Sequence, residues 1–321
     1  MEFSAESLLK EAKTFHLKKS LGQHFLIRPE ALSCAVDALA ITADDTVIEV
    51  GPGLGFLTRP LSKAGAHVIA VDLDRESIAR LMKMSLPGVE LRHGDFLQFD
   101  LNDLQFYEGK NARENEGSFA TKTSARNEQT AKASLKVAGN VPYQITGLIL
   151  GHVLGEIDSP AAWLGRIKVI VLTVQKEVAQ RMVAKAASPH YSKLSLLIEY
   201  FCEAEIAMNL QPKDFYPPPQ VSSSIVKMVP RARPPVAPKN VRLLKQIIDA
   251  GFRQRRKTLP NALSFLRIAP KDLQNVFKRL SFDPQTRAER LSLQQFAMLA
   301  DAIHDYLTMH APNSSARPSE S

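Results

Sequence analysis

The chain has 321 residues, 45% of them hydrophobic and 23% charged, which is enough for one large core and a second smaller one. No stretch approaches the roughly 18 consecutive apolar residues of a membrane span, and Glu2, Glu6 and Glu11 stand where a signal peptide needs an apolar centre, so neither membrane insertion nor secretion is expected. Cys34 and Cys202 are far apart and match no metal-ligand spacing, which predicts a reducing compartment, no disulfide and no bound metal.

Lys and Arg number 41 against 33 Asp and Glu, a formal charge of +8. The surplus is concentrated late: residues 240–308 carry 12 basic and 6 acidic side chains, whereas residues 1–239 carry 28 and 26. Such asymmetry points to a polyanionic partner, although a solvated surface would look the same.

In chain order, β-branched runs alternate with helical patterns. Strands are predicted at Thr46–Val50, His67–Asp72, Val89–His93, Leu135–Ala138, Ile167–Val174, Leu194–Phe201 and Ile225–Val229. This alternation predicts an α/β domain with a seven-stranded, mostly parallel sheet covered by helices, the last two strands forming an antiparallel edge. Residues 105–134 are polar and rich in Gly, Ser, Thr and Asn, which predicts a flexible insertion between two strands. The prolines of 230–239 predict an extended linker. Beyond it the apolar spacing is helical, first at Leu244, Ile247, Ile248 and Phe252, then at Leu273, Val276, Phe277 and Leu280. A last helix begins at Ser292, with Gln295 as its capping-box partner, and residues 309–321 are expected to be a disordered tail.

The stretch Val47-Ile-Glu-Val-Gly-Pro-Gly-Leu-Gly-Phe-Leu-Thr58 reads as a strand, a Gly-rich turn and a helix start. Its glycines permit positive φ and let backbone N–H groups approach a ligand. A dinucleotide fingerprint would space its third glycine three positions after the second. Here Gly55 follows Gly53 by two, and Glu49 before the loop is foreign to that fingerprint. Asp72 ends the next strand, 17 residues after Gly55, where a carboxylate can accept both hydroxyls of a ribose. Asp95 follows the third strand, and Asn140-Val141-Pro142-Tyr143 follows the fourth. Four successive strand ends therefore carry ligand-binding chemistry on one edge of the sheet, which is where open α/β sheets bind ligands.

These blocks, with Lys18-Lys-Ser-Leu-Gly-Gln-His-Phe-Leu26, Gly94-Asp-Phe-Leu97, Val174-Gln-Lys-Glu-Val-Ala179, Phe215-Tyr-Pro-Pro-Pro219 and Phe252-Arg-Gln-Arg-Arg-Lys-Thr-Leu259, give a chain that resembles the ribosomal RNA adenine dimethyltransferase family. The resemblance runs from Lys18 to about Leu307, apart from 105–134. It implies a Rossmann-like class I methyltransferase domain over 1–229 and a helical RNA-recognition domain over 240–308. S-adenosylmethionine would be the methyl donor, leaving as S-adenosylhomocysteine, with no metal. The implied substrate is a pair of adjacent adenosines near the 3′ end of small-subunit rRNA, modified on a pre-small-subunit particle in the cytoplasm by a monomeric enzyme.

By the same resemblance, His24, Leu26, Gly51, Asp72, Asp95 and Asn140 hold the donor. Positions 24 and 72 depart from the family's common Asn and Glu. The catalytic set would be Asn140, Pro142, Tyr143 and Phe215. An adenine amine is a poor nucleophile because its lone pair is delocalised. The Asn140 side-chain oxygen and the Pro142 carbonyl would accept its two N–H bonds, while Tyr143 and Phe215 would supply faces for the ring. Arg253, Arg255, Arg256 and Lys257 would bind RNA phosphates. Three other readings stay open at this stage: a large-subunit adenine methyltransferase of the antibiotic-resistance type, a non-catalytic RNA-binding assembly or transcription factor, and a nicotinamide-dependent dehydrogenase.

Overall fold

A computed structural model describes residues 4–18, 21–101, 134–254 and 256–310. The predicted insertion, but for Ser134, and the tail beyond His310 lie outside these residues. The chain divides into two compact units, the first built from 1–155, 161–179 and 205–230, the second from 156–160, 180–204 and 231–321.

The first unit is organised by a mixed sheet. Its strands are β1 (Thr46–Val50), β2 (His67–Asp72), β3 (Val89–His93), β4 (Leu135–Asn140), β5 (Ile167–Gln175), β6 (Cys202–Leu210) and β7 (Ser223–Pro230). Their order across the sheet is β3-β2-β1-β4-β5-β7-β6. The pairs β1–β2, β1–β4, β2–β3 and β4–β5 are parallel, with Ile48 opposite Ile69 and Val137, and β7 runs antiparallel to β5 with Ile225 opposite Thr173. The order reverses between β1 and β4, so the crevice at their carboxyl ends is the topological switch point. Every residue of β1 is buried, which a strand achieves only when both faces are covered. One face packs against α1 (Ala5–Lys13) and α2 (Pro29–Leu39) through Leu8, Leu32, Val68, Ala138 and Val171. Helices α3 (Thr58–Lys63), α4 (Arg75–Met82) and α5 (Thr146–Leu154) follow β1, β2 and β4.

One predicted strand is corrected. Lys193–Phe201 is a helix, α7, following α6 (Lys176–Met182), and the sixth strand is Cys202–Leu210 directly after it. Ser192 and Ser195 close a reciprocal cap that starts α7, and the leucine-rich run after them has no strong β preference. Cys202–Leu210 alternates buried and exposed positions with Glu203 and Glu205 outward, the pattern of a charged edge strand. The fourth strand also runs two residues further than predicted, so Asn140 itself ends it.

A buried ion pair sits at the base of β4. Lys136 Nζ lies 2.6 Å from Asp45 Oδ2 and donates to the Ala40 carbonyl at 2.7 Å. Both side chains are under 8% exposed. Burial alone would raise the Asp45 carboxyl, but Lys136 and the Thr42 N–H and hydroxyl hold it below its ordinary value.

The second unit has an all-helical core. Helix α8 (Val241–Arg253) buries Leu244, Ile247 and Ile248; α10 (Pro270–Arg279), which follows the short α9 (Leu259–Ala262), buries Leu273, Val276 and Phe277; and α11 (Leu293–Met309) buries Phe296, Leu299 and Ile303. The Ser292–Gln295 capping box is formed in both directions, at 3.3 and 2.9 Å. Phe252 meets Tyr191 and Phe296 at ring-centroid distances of 6.0 and 6.2 Å. Arg231 donates its N–H to the Phe201 carbonyl, and Lys239 pairs with Asp305 at 2.7 Å, so both ends of the proline-rich segment are tied down. No helix among the described residues is long and apolar enough to cross a membrane.

Candidate active site

At the switch point the first unit holds a cavity of about 350 Å³. Its wall is the Gly-rich loop after β1, the ends of β2, β3 and β4, and the segment around His24.

The loop is shaped by backbone conformation. Gly51, Gly53 and Gly55 all have positive φ, at 68°, 54° and 75°. A Cβ on Gly51 would meet nothing within 4 Å, because it would project into open space, whereas one on Gly53 would lie 2.7 Å from Phe25 Cε1. Gly51→Ala is therefore expected to place its methyl in the cavity and weaken ligand binding without a packing clash. The left-handed conformation costs a side chain about 1–2 kcal/mol at either position, and Gly53→Ala adds the clash with Phe25, so it should lower stability further than Gly51→Ala. Calorimetric titration with the methyl donor and thermal melts of the two variants separate these effects.

Asp72 is only 9% exposed, and each of its carboxyl oxygens accepts one backbone N–H. The Gly53 N–H donates to Oδ2 at 2.9 Å and the Asp74 N–H to Oδ1 at 2.8 Å. Burial raises its pKa, against those two N–H bonds. The Asp95 carboxyl caps the turn after β3, accepting from the Leu97 N–H at 3.0 Å. The third acid is Glu49, on β1, 1% exposed and with its Oε2 lacking any hydrogen-bond partner among the described residues. Burial pushes the Glu49 carboxyl up to about 8, the Thr58 hydroxyl opposing the shift and the charge of Asp72 adding to it.

The predicted catalytic stretch turns sharply out of the sheet. Pro142 is extended, and Tyr143–Ile145 form a 3₁₀ turn into α5. The Asn140 amide nitrogen donates to the His24 carbonyl at 2.6 Å, which leaves Oδ1 as the free acceptor of that side chain. The Pro142 carbonyl accepts from the Ile145 N–H at 3.2 Å and, at 3.5 Å, from the Thr146 hydroxyl. The Tyr143 hydroxyl is 2.6 Å from Ser223 Oγ, which fixes the ring, and burial raises its pKa. His24 Nδ1 lies 2.7 Å from the Pro217 carbonyl and so carries the hydrogen, and the imidazole stacks on Tyr143 at 5.8 Å with an 18° tilt.

His24, Leu26, Gly51, Asp72, Asp95, Asn140, Pro142 and Tyr143 thus all line one cavity. Phe215, expected to face the adenine ring, is not among the lining residues. It is 2% exposed, belongs to the hydrophobic core and pairs through its backbone with Leu26. Its ring packs in the core beside the short strand pair that carries Leu26. Arg253, Arg256 and Lys257 are exposed in the second unit, and Arg255 lies outside the described residues.

Several contributors were not legible in the sequence. Ser223 is 80 residues from Tyr143. Lys18 pairs with Asp74, and Gln23 donates to the same carboxylate at 3.1 Å, stitching the segment before His24 to the start of α4. Glu49 had a signal, an acid inside an apolar strand, but its position in the wall needed the fold.

The charged residues in the cavity wall are Glu49, Asp72 and Asp95, with neither Lys nor Arg among the described residues that line it. Such a wall repels a pyrophosphate and suits a nucleoside carrying positive charge. The acidic wall and the open space at Gly51 fit S-adenosylmethionine. Among the described residues no group of three or more His, Cys, Asp or Glu is arranged to hold a metal ion.

Comparison with known proteins agrees. A family model described as ribosomal RNA adenine dimethylase matches residues 14–305. A Clostridium botulinum protein named ribosomal RNA small subunit methyltransferase A is 32% identical over 295 residues, covering 91% of this chain and 96% of that one. A Clostridium acetobutylicum protein of the same name is 31% identical over 306 residues, covering 94% and 99%. Among solved structures, a dimethyladenosine transferase from Plasmodium falciparum superposes with a TM-score of 0.64 at 23% identity, over 86% of this chain and 95% of that one. The 23S rRNA methyltransferase ErmE superposes at 0.61 and 18% identity, over 87% and 99%. At these identities the two structures speak for the fold, a class I methyltransferase sheet with a helical C-terminal region.

Proposed function

The chain belongs to the ribosomal RNA adenine dimethylase family, and from that premise we propose that it transfers methyl groups from S-adenosylmethionine to the exocyclic amines of two adjacent adenosines near the 3′ end of small-subunit rRNA. The observation that carries this reading is a single one: a cavity walled by three acids, with no Lys or Arg among the described residues that line it, opens beside a free Asn140 oxygen and the Tyr143 ring. It disfavours the nicotinamide reading, because a dinucleotide brings a pyrophosphate that this wall would repel.

When bound, S-adenosylmethionine supplies an electrophilic methyl on a sulfonium, so the protein's task is alignment more than base catalysis. Asn140 Oδ1 is held toward the cavity because the amide nitrogen is committed to the His24 carbonyl. It accepts one N–H of the adenine amine and favours the localised lone pair. The Pro142 carbonyl, with one strong internal donor and one long one, accepts the other. Tyr143, fixed by Ser223, stacks on the base. A base inside a duplex could not reach these groups, so the target adenosine is single-stranded or flipped out.

The helical second unit reads the RNA, and Arg253, Arg256 and Lys257 contact phosphates there. Arg256→Ala and Lys257→Ala should each weaken RNA binding uniformly across sequences and reduce the slope of log affinity against log salt by about 1. Filter-binding titrations at several salt concentrations check this. On this reading the enzyme works in the cytoplasm, as a monomer on the assembling small subunit. Incorporation of labelled methyl into small subunits lacking these modifications tests the assignment; donor binding without incorporation would overturn it.

A further inference from the structure

The turn after β3 supplies Asp95, Phe96 and Leu97 to the cavity wall. Several of its hydrogen bonds close it on itself: the Asp95 carboxylate accepts the Leu97 N–H at 3.0 Å, the Asp95 carbonyl the Gln98 N–H at 3.0 Å, and the Phe96 carbonyl the Phe99 N–H at 3.1 Å. Its near end is tied to β2, where the Gly94 N–H donates to the Asp72 carbonyl at 2.9 Å. These bonds fix the shape of the turn. How far it leans into the cavity depends on what holds its far end.

His152, in the last turn of α5, holds that end. Its Nε2 lies 3.0 Å from the Phe99 carbonyl and, facing an acceptor, carries the hydrogen. The same imidazole meets the buried Phe96 ring edge-on, at a centroid distance of 5.2 Å and an angle of 76°. Trp163, a few residues before β5, stands against the imidazole at 5.0 Å. Ile149, three residues before His152 and therefore on the same face of α5, lines the cavity itself. Arg166 reaches the Leu101 carbonyl, two residues beyond Phe99, at the longer distance of 3.5 Å.

We infer that His152 is a positioning residue for the methyl donor: by its grip on the Phe99 carbonyl and the Phe96 ring it sets where the Asp95–Leu97 wall stands. The inference rests on the function proposed above. Helix α5 starts at Thr146, directly after the Tyr143–Ile145 turn that carries the ring for the substrate base. One helix thus bears the acceptor motif at its first turn and the anchor of the donor wall near its last, about 9 Å further along at roughly 1.5 Å per residue. His152 is not among the residues lining the cavity, so it acts through the wall. Any apolar ring could fill its place against Phe96 and Trp163. No apolar ring could donate to the Phe99 carbonyl.

The test is calorimetric titration of the full chain with S-adenosylmethionine, comparing the unsubstituted protein with His152→Phe and His152→Gln, alongside thermal melts. His152→Phe keeps a ring and loses the donor; His152→Gln keeps an N–H for the carbonyl and loses the ring. Loss of the hydrogen bond should weaken donor binding about tenfold in His152→Phe, while His152→Gln keeps most of the affinity. The melting temperatures should fall in the opposite order, because ring packing carries stability there and the hydrogen bond carries the wall. In methyl-transfer assays His152→Phe should raise KM for the donor by the same factor and leave kcat at saturating donor near that of the unsubstituted protein. Full donor affinity in His152→Phe would overturn the inference, as would affinities that follow the melting temperatures of the two variants. An unsubstituted protein that binds the donor without methylating rRNA would overturn the functional reading alone. One that does not bind the donor would overturn both.

Discussion

An Asn140→Ala protein is expected to transfer methyl groups roughly 10²–10³-fold more slowly at saturating donor, the loss found when one preorganised hydrogen-bond group is removed from an active site. The effect follows from the way both ends of this amide are used. Its nitrogen donates to the His24 carbonyl, so its oxygen is presented to the incoming amine with no freedom to turn away. Asn140→Asp makes the argument sharper. It keeps an oxygen acceptor, but an ionised carboxylate cannot donate to His24 and would face that carbonyl with like charge. It should therefore lose rate as well, and loosen the segment that carries His24 and Leu26. Initial rates of labelled methyl incorporation, measured alongside donor affinity, separate the two roles. An Asn140→Ala enzyme with an unchanged rate would place the amine's acceptors elsewhere.

The largest effect on stability is expected at Lys136. Lys136→Met leaves the Asp45 carboxylate buried at 4% exposure with neutral donors from Thr42 and Ser134 and no counter-charge, and breaking a buried pair from one side typically costs about 3–5 kcal/mol. The double variant Lys136→Met with Asp45→Asn removes both charges and should recover part of that loss. The pair also predicts acid sensitivity. The folded Asp45 pKa is depressed, so its contribution is present above the unfolded value near 3.8 and is lost as pH falls through the lower folded value. Urea unfolding followed by far-ultraviolet circular dichroism checks all three. A single variant as stable as the double would mean that the ion pair contributes nothing specific.

Much of this architecture was readable from residue patterns, for reasons that also explain the exceptions. β1 and β2 are short β-branched runs that end in chemistry-bearing residues, so their positions and their common edge follow from periodicity. The segment 193–210 is harder, since an apolar run of nine residues does not separate helix from strand and the decisive signal is the Ser192–Ser195 cap. Gly51, Asp72, Asp95 and Asn140 converge because each follows a strand. His24 precedes, and Leu26 ends, a two-residue strand, Phe25–Leu26, that pairs with Phe215 and Tyr216 and is too short to leave any pattern. Phe215 was placed on the substrate by its motif, yet the same pairing draws its ring into the core. The state of Glu49 depends chiefly on burial, a property of the fold and not of its neighbours in the chain.

The central claim is the identity of the modified nucleotides, and primer-extension mapping on small subunits purified without these modifications tests it most directly. After incubation with the enzyme and S-adenosylmethionine, two adjacent stops at adenosines near the 3′ end of the small-subunit rRNA are the expected result. Stops confined to large-subunit rRNA, or none at all while the donor binds, would contradict it.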